Sequence, residues 1–122
     1  MEYRRLNEFY ARGPVCREGS DGSRILAETP GGDALHISFR TPLRVSDRPE
    51  WAVRWTESHY RLSAAEGERL LKSLAADYGD PAEALAEQFE FAVPRRTLRD
   101  YLETNGISCE YAENEVEPSA VW

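Results

Sequence analysis

At Ser63 the hydrophobic period of the chain changes, and that change limits the folds open to it. Before it, apolar residues alternate: Leu35, Ile37 and Phe39 fall on one side, His36, Ser38 and Arg40 on the other. That is the period of a half-buried strand. After it, Gly67, Leu70, Leu71, Leu74 and Tyr78 recur at helical spacing, one face of a 3.6-residue repeat. Ser63-Ala64-Ala65-Glu66 sits at the switch and matches a capping box, in which hydroxyl and carboxylate satisfy orphan helix N–H groups reciprocally. Strands followed by helices give an α+β fold. The expectation is an N-terminal antiparallel β-meander, then a three-helix unit, then a possible C-terminal return strand.

With 122 residues the chain makes one domain. It divides into an N-terminal helix (1–13), the meander (14–62), the helical unit (63–106) and an acidic tail (107–122). Residues 2–12 read as a helix whose Tyr3, Leu6 and Tyr10 share a face, stopped by Gly13-Pro14. Turn residues at 19–22 and at Pro30-Gly31-Gly32-Asp33 separate the strands 15–18, 24–29 and 34–40. Pro42 and the cluster 46–49 break the next stretch. Residues 51–62 form the longest strand, with Trp51, Val53 and Trp55 on one face and then Tyr60 and Leu62. That parity shift predicts a bulge near Glu57-Ser58.

In the helical unit Gly79 stops the first helix. Asp80 caps the second, with Pro81 at its first position and Glu83 completing its box. Ala82, Leu85, Ala86 and Phe89 make its buried face. Pro94 opens the third, with Leu98, Tyr101 and Leu102 inward, and Asn105-Gly106 closes it. Residues 107–112 could return as a strand.

Residues 81–106 resemble a helix-turn-helix. Ala86 and Phe89 match the small and apolar positions of its first helix, and residues 95–102 match its recognition helix, with Leu98 and Leu102 inward. The resemblance implies base-reading by Arg95, Arg96 and Arg99, since Arg suits guanine edges. The turn is longer than the family's, and Glu90 stands where glycine is usual.

Charge points elsewhere. Net charge is −7; residues 1–62 balance to +1, while residues 63–122 hold five basic and thirteen acidic residues, a balance of −8. DNA affinity comes largely from cations on phosphate, whereas an acidic half favours basic partners. The carboxylates of that half, Glu83, Glu87, Glu90, Glu110, Glu113, Glu115 and Glu117, are the candidate partner-binding face. Small, compact acidic proteins of this kind include antagonists carried by phage and other mobile elements, which block nucleic-acid-handling machines by occupying basic grooves, as anti-CRISPR proteins do. The expected function is therefore that of a non-enzymatic inhibitor binding a basic protein or nucleoprotein complex. The alternative is a helix-turn-helix DNA-binding transcriptional regulator.

No local catalytic motif accompanies His36 and His59, and no phosphate loop, C-x-x-C or H-E-x-x-H is present. The acids Asp77, Asp80, Glu83, Glu87 and Glu90 read as a solvated helix face rather than a metal site, so neither a cofactor nor a metal is expected. Cys16 and Cys109 read as buried, unbridged thiols. The N-terminus lacks the apolar run of a signal peptide and no stretch is long enough to span a membrane, so the expected location is the cytoplasm.

Overall fold

The computed structural model describes residues 3–18, 23–43, 54–89 and 97–116. Their elements run α1 (Arg4–Arg12), β1 (Val15–Glu18), β2 (Arg24–Glu28), β3 (Ala34–Leu43), β4 (Arg54–Ser63), α2 (Ala64–Tyr78), α3 (Pro81–Glu87), α4 (Leu98–Thr104) and β5 (Glu110–Val116), with a single 3-10 turn at Pro30–Gly32. The strands form one antiparallel sheet in chain order, β1-β2-β3-β4-β5. The fold is thus α+β, with α1 and then the meander, three helices after it and a return strand behind them. That strand, Glu110–Val116, takes seven of the sixteen residues of the expected acidic tail into the sheet.

Register decides which side chains are buried, because a strand alternates its faces. Ile25 pairs with Phe39 and Ala27 with Ile37; Ile37 pairs in turn with Tyr60, and Leu35 with Leu62. All of these are buried, on the side where the helices pack. β3 and β4 pair without interruption from Ala34↔Ser63 to Leu43↔Arg54, so the expected bulge at Glu57-Ser58 does not form, and Pro42 lies within β3 rather than ending it. The parity shift has another cause. Trp55, opposite Pro42, belongs to the face away from the helices, with the Arg40 guanidinium 4.5 Å from its ring centre. A Trp beneath an arginine is stabilised while half-exposed, so hydropathy alone assigned it to the wrong side. Trp51 and Val53 lie outside the described residues.

α2 runs over the sheet, burying Leu70, Leu71 and Leu74. Gly67 explains how closely it does so: a Cβ there would lie 3.0 Å from the Leu35 Cβ. At its start, the Ser63 hydroxyl accepts from the Glu66 amide at 3.3 Å. The reciprocal half of the box is replaced, because the Glu66 carboxylate accepts from the Ser108 amide (3.0 Å) and from Arg69. Asp80 caps α3 through the Ala82 amide, and Ala82, Leu85, Ala86 and Phe89 are buried as the spacing requires. α4 buries Leu98, Tyr101 and Leu102 and ends in a Schellman turn, Ile107 amide to Leu102 carbonyl and Gly106 amide to Glu103 carbonyl, with Gly106 at φ +65°. Tyr78, Phe89 and Tyr101 form an aromatic cluster with ring centres 5.2–6.3 Å apart, joining the three helices.

α1 differs from its expected face. Leu6 and Phe9 are buried, whereas Tyr10 is 55% exposed and lays its ring against Gly32 of the 3-10 turn.

Candidate binding surfaces

The acidic residues of α2 and α3 are largely engaged within the chain. Glu68 accepts from the Arg5 and Leu6 amides at 2.9 and 2.7 Å, closing the N-terminus of α1. Asp80 receives Arg12 at 2.9 Å, and that guanidinium holds its carboxyl below the usual carboxylate range. Asp77 accepts from the Tyr101 hydroxyl at 2.6 Å, with the Ser73 hydroxyl 2.7 Å from the same oxygen. Burial, reinforced by Asp77, pushes Tyr101 up to about 12. Glu87 pairs with Arg17 of β1 at 2.6 Å. Glu83 is exposed on α3. The expected ladder Glu83-Glu87-Glu90 breaks off, because α3 ends at Glu87 with Gln88 as its C-cap. Glu90 lies outside the described residues.

The other expected acids stand elsewhere. Glu110 and Glu113 are exposed on β5, and Glu115 occupies the register position opposite Thr56; Glu117 is outside the described residues. α3 lies over the β1 side of the sheet, where Glu87 meets Arg17, while β5 forms the opposite edge. Four strand spacings of ~4.8 Å separate the two, about 19 Å. The anticipated single acidic face is therefore two separate patches.

On β5 the side chains alternate. Glu113 shares the helix-covered side with Tyr111, whose ring packs 5.0 Å from Tyr60 and whose hydroxyl donates to Glu113 at 2.8 Å. Burial raises the Tyr111 pKa. Glu110 shares the side away from the helices with Arg61, its partner on β4, beside an open hollow of about 580 Å³ that includes His36, Ser63, Glu66 and Cys109 in its lining.

Of the three arginines expected to read DNA, Arg99 falls within the described residues. Thr97 has extended backbone (φ −90°, ψ 145°) and its hydroxyl accepts from the Asp100 amide at 3.2 Å, so it caps a helix that starts at Leu98 rather than at Pro94. Arg95 and Arg96 lie outside the described residues, ahead of that cap. Arg99 lies in the first turn of that helix. Its guanidinium sits 4.8 Å from the Tyr111 ring centre and 3.7 Å from Glu103.

The sheet face opposite the helices carries both histidines. His36, Arg61 and Glu110 make one transverse row; Ser38, His59 and Ala112 make the next; Arg24, Arg40, Glu57 and Asn114 a third. His59 Nε2 lies 3.4 Å from Glu57 Oε2. Sequence alone could not assemble these rows, since they depend on register between strands. Cys16 and Cys109 are free thiols, but Cys16 is exposed and Cys109 half-buried, against the expected burial of both. Burial raises the Cys109 pKa. Among the described residues, no three His, Cys, Asp or Glu side chains gather as metal ligands, and no helix is long and apolar enough to cross a membrane.

No protein-family model, curated protein or solved structure matches the chain.

Proposed function

We propose that the protein is a non-enzymatic binder that docks on a basic surface of a macromolecular partner, acting as an inhibitor of a nucleic-acid-handling complex in the manner of antagonists carried by phage and other mobile elements. The observation that carries this reading is the β5 edge. Glu110 and Glu113 are exposed on opposite sides of one strand, and the register places Glu115 two residues on. Most of the acids on α2 and α3, by contrast, already hold the fold together. Acid at this edge steers a basic partner and repels phosphate.

The regulator reading draws support from α4 following α3, but Arg99 is held by Tyr111 and Glu103. Such a helix offers little free cation for base edges. The test is competition. A nucleic-acid-binding protein crosslinked to this one in nuclease-treated extract should lose its nucleic acid when the purified protein is added, and lose it less as salt rises. A specific duplex shifted by the protein alone at near-physiological salt, and released by Arg96→Ala, overturns the proposal in favour of the regulator.

A further inference from the structure

The two edges of the sheet are unlike. β1 is short, and Arg17 upon it is bonded to Glu87 of α3, which lies beside it. β5 runs for seven residues, Glu110–Val116, in unbroken register with β4 and with no proline inside it. Among the described residues, β4 is its sole strand neighbour. An antiparallel strand bonded on one side directs alternate N–H and C=O groups outward, and such a row is a template for another strand. Ala112, Glu113 and Asn114 are exposed along it.

Proteins commonly blunt such edges by keeping them short, bulged or proline-interrupted; β5 uses none of these devices. Its protection is charge of one sign. Acids at Glu110, Glu113 and Glu115 oppose pairing with a second copy of β5, because like charges directly opposite each other are destabilising. The same acids favour a strand of the other sign. Glu113 stands opposite Ser58, and the Glu115 position opposite Thr56, so β4 supplies no cation in register with either. Glu110 already faces Arg61.

We infer that β5 is a docking edge for an extended, basic segment of a protein partner, which adds to the sheet as a sixth strand through main-chain hydrogen bonds. This rests on the proposed binding of a basic partner and specifies how the two meet. Because side chains on one face repeat every second residue, the segment carries Lys or Arg at two positions separated by one residue, opposite Glu113 and Glu115. Main-chain pairing supplies affinity and the charged positions supply selection, the division of labour in strand addition.

Two probes separate the edge from the charge. One is a short peptide alternating Lys with Thr and Val; the other has the same sequence with every second amide N-methylated, so that it keeps its charge but cannot pair. The unmethylated peptide should bind, slow hydrogen exchange at alternate β5 amides, and bind about tenfold more tightly than its methylated counterpart. Glu113→Lys, folded by circular dichroism, should weaken it about tenfold. If both peptides bind equally, weaken with salt and leave β5 exchange unchanged, strand addition is overturned while the basic-partner reading stands. If neither binds, both are overturned.

Discussion

The Glu68 carboxylate reaches across from α2 to the Leu6 amide at 2.7 Å and the Arg5 amide at 2.9 Å. α1 has no N-cap side chain of its own, since Tyr3 occupies that position. An acid from another helix therefore does the capping, where the helix dipole favours negative charge. Glu68→Ala should destabilise the protein by about 1–2 kcal/mol in urea unfolding, as a lost cap does, while Glu68→Gln retains an acceptor and should cost less. An unchanged unfolding midpoint for Glu68→Ala would remove this tether from the account.

Gly67→Ala sets two effects against each other. Alanine improves an exposed helix interior by about 1 kcal/mol over glycine. Here its Cβ would lie 3.0 Å from the Leu35 Cβ, and overpacking typically costs about 1–3 kcal/mol. Both partners are on rigid elements, so packing should win and the variant should be less stable. A gain in midpoint would show that α2 lifts from β3 easily.

Leu74 is fully buried among the helices and the sheet. Leu74→Ala should cost about 2–5 kcal/mol, the usual range for truncating a buried Leu. Thermal or urea unfolding reads it directly, and a near-neutral result would mean that the helical layer is not packed as described.

Alkaline stability should follow Tyr101. Its folded-state pKa is raised to about 12, above the ordinary Tyr value of about 10. Between those values the unfolded chain has lost a proton that the folded chain keeps. Stability is therefore full below about pH 10 and falls as pH rises toward 12. Tyr101→Phe should flatten that decline relative to wild type, leaving a smaller one from Tyr111, whose pKa is also raised. At the acid end Asp80 works the other way: its lowered pKa contributes stability above the ordinary carboxylate range, lost as pH falls through its folded value.

The thiols should both alkylate without reductant, Cys16 first. Cys16 is exposed, whereas Cys109 is half-buried with its thiolate disfavoured by burial. Equal rates would contradict the placement of Cys109.

What was legible in the sequence was local. Alternation at Leu35, Ile37 and Phe39 located β3, and Ser63 and Asp80 announced their helices by side chains that bond within three residues. What was not legible depends on contacts between distant residues. Nothing near Glu68 marks it as the cap of α1, and nothing near Glu87 marks Arg17 as its partner. Trp55 misled because its half-exposed position depends on Arg40, on the neighbouring strand. The acidic set looked like one face because sequence does not record that β5 returns to the edge far from α3.

On the proposed reading the β5 edge, not acidity in general, receives the partner. The decisive measurement compares affinity for the alternating Lys peptide between two charge-reversed proteins. One carries Glu110→Lys, Glu113→Lys and Glu115→Lys; the other carries Glu83→Lys and Glu87→Lys, which also forfeits the Arg17 pair. The β5 reversal should abolish binding and its salt dependence, while the α3 reversal should leave both nearly intact. Equal loss in the two proteins, or loss in the α3 reversal alone, would contradict it.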